Sequence, residues 1–136
     1  MRQILTSVVL VVLLFPALAF GETVDWNDFV ETNGERDGSW VWYHENGQLL
    51  NKGTYKDGKM DGSWVWYHDN GQLNQKETYK DGKRVGPWVR YYDNGQVTAK
   101  GTFKDGKKEG YWESYDKNGQ SDEYAGTYKD GKKISD

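Results

Sequence analysis

Gly38 to Asp61 reads GSWVWYHENGQLLNKGTYKDGKMD, and Gly62 to Val85 follows at once as GSWVWYHDNGQLNQKETYKDGKRV. Self-similarity at a fixed step decides the architecture before any single residue does. Aligned on the tryptophan after Gly-x, Trp40, Trp64, Trp88 and Trp112 fall 24 residues apart, as do Asn46-Gly47, Asn70-Gly71, Asn94-Gly95 and Asn118-Gly119. Asp57-Gly58, Asp81-Gly82 and Asp105-Gly106 keep that step, and Asp130-Gly131 arrives one residue late, which an insertion between Gln120 and Gly126 explains. Upstream, Asn33-Gly34 marks a degenerate half repeat over residues 22–37. The units that follow are residues 38–61, 62–85, 86–109 and 110–136, the last carrying the C-terminal end.

Each unit holds two short segments rich in Trp, Tyr, Val and Thr, residue types that suit a pleated strand. Asn-Gly or Asp-Gly divides them, the dipeptides that most readily adopt positive φ at both central positions of a type I′ turn. The expected fold is therefore all-β, an elongated antiparallel meander of repeated hairpins. Two-residue turns give a register. Trp40 faces Gly53, Trp42 faces Asn51 and His44 faces Leu49; beyond the next turn Tyr55 faces Met60 and Gly53 faces Gly62. One face then collects Trp40, Trp42, Leu49, Gly53, Tyr55, Met60, Trp64 and Trp66, and the other Val41, Tyr43, Leu50, Lys52 and Thr54.

In this register Gly53 is a shelf on which the indole of Trp40 lies, and Gly101 repeats the arrangement for Trp88. Glu77 breaks the rule opposite Trp64, and the late insertion acts as a bulge that brings Gly126 near Trp112. Two-residue turns also leave equivalent residues sliding by two positions per unit. Either the sheet coils steeply or one of the turns is longer.

The chain has 136 residues, no cysteine and a formal net charge of −3. Its first residues read as a secretory signal over 1–21: Met1-Arg2-Gln3 is positive, Ile4 to Phe15 apolar, and Ala17-Leu18-Ala19 a small-residue cleavage motif. Cleavage after Ala19 or after Gly21, or retention as an anchor, are the alternatives. The expected location is exported, periplasmic or extracellular. Losing the leader removes Arg2 and leaves the mature chain still more acidic, which argues against nucleic acid as a partner.

The pattern G-x-W-x-x-Y-x-x-N-G-Q followed by K-G-T-[YF]-K-D-G-K resembles the bacterial variant of the MORN repeat, the membrane occupation and recognition nexus family, over Gly38 to Lys132. The resemblance implies an elongated hairpin array without a catalytic centre. Proteins with the eukaryotic form are scaffolds and lipid-associated modules, and some bacterial variant-repeat proteins are labelled antitoxins.

No enzyme, cofactor or metal is expected. His44 and His68 occupy one repeat position that becomes Tyr92 and Asp116, whereas a metal or base site gathers different ligands at one place. The aspartates of the Asp-Gly turns lack calcium-loop spacing. Glu109, Glu113 and Asp116 read as solvated carboxylates. Two surfaces are candidates. A basic edge at the Asp-Gly turns carries Lys56, Lys59, Lys80, Lys83, Arg84, Lys104, Lys107, Lys108, Lys129, Lys132 and Lys133, a match for a protein partner or for anionic lipid or envelope polymer. An aromatic row of Trp40, Trp42, Trp64, Trp66, Trp88 and Trp112 reads first as core stacking. Its alternative is a cell-wall carbohydrate module, and an immunity-type role stands beside it.

Overall fold

The computed structural model describes residues 29–32 and 35–136. The leader, its cleavage site, residues 22–28 of the half repeat and the Asn33-Gly34 turn lie outside the described residues. Among the described residues ten strands make one antiparallel meander in sequence order. They are β1 (Phe29–Thr32), β2 (Glu35–Tyr43), β3 (Leu49–Lys56), β4 (Lys59–Tyr67), β5 (Leu73–Lys80), β6 (Lys83–Tyr91), β7 (Val97–Lys104), β8 (Lys107–Ser114), β9 (Gly126–Lys129) and β10 (Lys132–Ser135). Among the described residues extensive contacts run between strands adjacent in sequence, as in a quasi-one-dimensional array.

The Asp-Gly turns form as expected. Asp57 (φ 50°) and Gly58 (φ 74°) are both left-handed and join the directly paired Lys56 and Lys59, the two-residue I′ geometry. The Asn-Gly turns are longer. Only the glycine is left-handed there (Gly47, φ 82°). The Gly47 amide donates to the His44 carbonyl at 2.9 Å, and the His44 amide donates to Gln48 at 2.8 Å. Glu45, Asn46 and Gly47 therefore make a three-residue loop. Asn46 stays out of the left-handed region because its Oδ1 accepts the Gln48 amide at 3.0 Å, the local hydrogen bond for which asparagine side chains are suited. The longer loop pairs Tyr43, not His44, with Leu49. Leu50 bulges, and Trp42 meets Asn51 as expected.

The two-residue slide is absorbed inside a strand, neither by steep coiling nor by turn length. Thr54 pairs with Asp61 and Lys52 with Val65, so three residues, Gly62, Ser63 and Trp64, stand against Gly53 alone. Gly62 does not face Gly53; it pairs with Tyr79 on the other side. An insertion of two restores the 24-residue step while leaving every side chain on its face, since strand side chains alternate with period two. Gly62 begins the widened stretch with φ 81°, and Gly86 and Gly110 do the same with φ 70° and 73°, a conformation that costs glycine little.

The widened stretch lifts each Gly-x-Trp indole over the glycine of the strand before it. A methyl group on Gly53 would come within 2.6 Å of Trp64 Cε3, and one on Gly101 within 2.6 Å of Trp112 Cγ. The shelf thus carries the next unit's tryptophan, Trp64 or Trp112, rather than the paired Trp40 or Trp88. Trp64 Nε1 donates to the Thr54 carbonyl at 3.1 Å and Trp112 Nε1 to Thr102 at 3.2 Å. Among the described residues these two indoles are the most buried large side chains, 2% and 1% exposed.

In the last unit Gly126 pairs with Trp112 as expected. The insertion that allows it is a turn rather than a bulge. The Ala125 amide donates to the Asp122 carbonyl at 3.1 Å, and Ser114 Oγ donates to Asp122 Oδ2 at 3.0 Å. Lys133 lies over Gly126, where Trp64 and Trp112 lie over their glycines.

Candidate functional site: two faces and a cleft

Both candidate surfaces follow from the strand alternation. On one face the rings stack along the array. Centroids are 5.5 Å apart for Trp40 and Trp42, 6.0 Å for Trp42 and Trp64, and 5.5 Å for Trp64 and Trp66. Tyr55 meets Trp64 edge-on at 5.1 Å. A second cluster joins Trp88 to Trp112 at 5.3 Å and Phe103 to Trp112 at 4.9 Å. Offset and edge-on pairs of this kind add about 0.5–1.5 kcal/mol each beyond area burial. The six tryptophans are together on one face, as the alternation implied, but they are not one unbroken row.

Glu77 makes the break. It stands at the repeat position of Gly53 and Gly101, is 3% exposed, and so denies Trp88 the shelf that Trp64 and Trp112 have. Trp88 Nε1 is buried without a hydrogen-bond partner, while Trp64 and Trp112 bind threonine carbonyls and Trp40 the Asp37 carbonyl. The Glu77 carboxylate is satisfied by Arg84 Nε at 2.5 Å, Tyr79 Oη at 2.9 Å and Gln75 Nε2 at 2.8 Å. A buried charge needs such partners. Burial first, and then the Glu77 carboxylate beside it, pushes the Tyr79 hydroxyl up to about 12. The Arg84 guanidinium lies 5.9 Å from the Tyr79 ring and 5.4 Å from the Phe103 ring, linking the two clusters.

Arg84 and Lys108 accordingly leave the basic edge assigned to them. Lys108 Nζ sits 4.4 Å over Trp112 and 4.6 Å over Tyr128, and burial lowers its pKa. Arg36, absent from the sequence-based candidates, lies 5.1 Å over Trp40 and 5.4 Å over Trp42. The signal was available: Arg36, Arg84 and Lys108 fall on the 24-residue step, with Met60 at the position between Arg36 and Arg84. They cover aromatic surface by cation–π contact.

The remaining basic residues gather on the opposite face. Lys56 pairs with Lys59, Lys80 with Lys83, Lys104 with Lys107 and Lys129 with Lys132, and all are exposed. Successive turns are stitched by backbone bonds, Gly82 to the Met60 carbonyl at 2.9 Å and Gly106 to Arg84 at 2.9 Å. A methyl on Gly82 or Gly131 would sit 3.6 Å from Cβ of Lys59 or Lys107. The lysines therefore form columns across the strands, with successive members about 9–10 Å apart, two inter-strand steps. A further row was missed by reasoning from the turns. Lys52, Lys76 and Lys100 pair with Val65, Val89 and Glu113 in mid-sheet and are exposed. Lys100 Nζ is 3.0 Å from Glu113. Lys133 is not in the column: its Nζ donates to the Glu123 carbonyl at 2.8 Å and pairs with Asp136.

The Asn-Gly edge is held by side chains. His44 Nε2 lies 3.0 Å from the Tyr67 carbonyl, His68 Nε2 3.0 Å from Tyr91, and Tyr92 Oη donates to Tyr115 at 3.0 Å. Asn46 and Asn70 donate to the carbonyls of Asp69 and Asp93 at 2.7 and 2.9 Å. Each histidine is a strut to the next unit. Between these struts and Glu77, an open cleft of about 550 Å³ includes Trp66, His68, Asn74, Gln75, Glu77 and Arg84 in its lining.

A family model described as MORN repeat variant matches four successive stretches, residues 36–57, 60–81, 84–105 and 108–130. The comparison with curated proteins returned no match. Among solved structures, the crystal structure of accessory secretory protein 1,2 and 3 in Streptococcus pneumoniae is similar at 17% identity over 74% of this chain, with a TM-score of 0.35. The chain spans 18% of that chain's length. Four consecutive matches on the same hairpins that the structure stacks place the chain in the MORN repeat variant family, repeat modules that are generally non-enzymatic.

Proposed function

We propose that the protein is an exported, non-catalytic repeat scaffold that docks its lysine face on an anionic membrane or envelope surface. The observation that supports this reading is the stacking of the Asp-Gly turns. It lines up Lys59, Lys83 and Lys107 and their partners Lys56, Lys80 and Lys104 at one edge of a single sheet. The rings and the cations over them lie on the other face, so docking leaves the aromatic face accessible. Basic clusters near an anionic leaflet each contribute about 1 kcal/mol per lysine, within a Debye length of the surface.

Co-sedimentation with vesicles of phosphatidylglycerol and phosphatidylcholine, against phosphatidylcholine alone, tests the reading. Binding should require the anionic lipid and weaken as salt rises from about 50 to 300 mM. Lys59→Glu, Lys83→Glu and Lys107→Glu together should abolish it with the strand signal intact. Absence of binding at low salt, or binding indifferent to the triple substitution, overturns the reading.

A further inference from the structure

The aromatic ladder has one rung missing. At the step from the first unit to the second, the outward face of Trp42 is covered by Trp64 at 6.0 Å and 30°. That placement depends on Trp64 lying on Gly53 with its Nε1 on Thr54. At the next step the corresponding pair is Trp66 and Trp88. Glu77 fills the shelf, Trp88 Nε1 has no partner, and the ring contacts of Trp88 are with Phe103 and Trp112. Trp66 stacks on Trp64 at 5.5 Å on one side; its other side borders the cleft of about 550 Å³. The cleft stands where the repeat would otherwise put an indole.

We propose that this cleft binds one ring of a neutral saccharide, seated on Trp66 in place of the missing indole. The volume lies within the roughly 300–1,000 Å³ of small-molecule sites. An indole face offers an apolar platform for the C–H face of a pyranose. Around it stand Asn74 and Gln75, whose nitrogens are engaged by His68 and Glu77 and whose amide oxygens can accept from sugar hydroxyls. The buried charge in the cleft, Glu77, is already matched by Arg84 at 2.5 Å, and the other lining carboxylate, Asp69, is exposed to water, which favours a neutral ligand over an ion. An aromatic side chain from a protein partner would use the platform but bring the amide oxygens no hydroxyl donors. The site lies on the face opposite the lysines, so it stands or falls independently of docking to an anionic surface.

The experiment uses the full chain, cellotetraose and chitotetraose as probes, and N-acetyltryptophanamide as the aromatic rival, followed by tryptophan fluorescence and calorimetry. At least one tetrasaccharide should bind. Trp66→Ala should weaken it by about tenfold or more, as loss of a central aromatic anchor does. Glu77→Gly should also abolish binding, because it restores the shelf and lets Trp88 close on Trp66, and this variant should melt above the parent. Its raised melting temperature separates closure of the cleft from unfolding. Failure of both saccharides to bind at millimolar concentration overturns the proposal. So does saccharide binding that survives Glu77→Gly, or a cleft that takes the aromatic rival and neither sugar.

Discussion

The indole of Trp64 lies directly on the backbone of Gly53, one strand back, and Trp112 lies in the same way on Gly101. This contact accounts for two features of the repeat, the glycine after lysine in the first and third units and the tryptophan two residues after the left-handed glycine. Neither Gly53 nor Gly101 has a positive φ, so the demand for glycine at these positions is for space alone. Gly53→Ala and Gly101→Ala should each destabilise by about 1–3 kcal/mol, the usual cost of overpacking. Gly101→Val should cost more, through Trp112. Urea denaturation midpoints measure this, and a midpoint equal to the parent's would mean that the indole does not rest there.

Tyr79 makes alkaline stability depend on the buried carboxylate. Its hydroxyl is held at about 12 by burial and then by Glu77, above the unfolded value of about 10. A tyrosine with a raised folded-state pKa contributes stability that is complete below the unfolded value and lost as pH rises through the folded one. Unfolding free energy should therefore fall between about pH 10 and 12, and Tyr79→Phe should fall less steeply over that window. Parallel profiles for parent and variant would show that Tyr79 is not linked to folding.

Much of this architecture was legible in the sequence because a repeat multiplies each weak local signal. Trp42 opposite Asn51, the I′ geometry of Asp57-Gly58 and the alignment of Gly126 with Trp112 all followed from spacing. What spacing did not reveal is conformation within a strand. Gly62 looks like any strand glycine, and only its φ of 81° shows where two residues are absorbed. For the same reason the rider on Gly53 was assigned to its directly paired Trp40 when the widened stretch delivers Trp64. Side-chain reach was also hidden. Arg84 and Lys108 sit beside turns in the sequence, yet alternation turns them onto the rings. Glu77 was visible as an exception, but its cleft depends on what Trp88 loses.

The histidines should be replaceable by the residue that the third unit uses. Tyr92 Oη reaches the Tyr115 carbonyl at 3.0 Å as His44 and His68 reach Tyr67 and Tyr91. His44→Tyr and His68→Tyr should leave the urea midpoint near the parent's. His44→Ala and His68→Ala should each lose about 0.5–1.5 kcal/mol, the net value of a hydrogen bond. Equal loss from tyrosine and alanine would show that the ring packing, and not the bond to the next unit, is what matters.

The two turn types should respond in opposite senses to glycine. Asp105 is left-handed at φ 49°, where a side chain costs about 1–2 kcal/mol. Asp105→Gly should therefore be neutral or stabilising, and Asp105→Val should be harmful because a branched Cβ resists that conformation. Asn94 is not among the residues with positive φ, and its Oδ1 accepts the Gln96 amide at 3.0 Å. Asn94→Gly gains nothing from the backbone and forfeits that bond, so it should cost about 0.5–1.5 kcal/mol. Thermal melts of the three variants decide between the geometries. If Asn94→Gly proved as benign as Asp105→Gly, the Asn-Gly loops would be two-residue I′ turns after all, and the bulge at the position of Leu50 would have no cause.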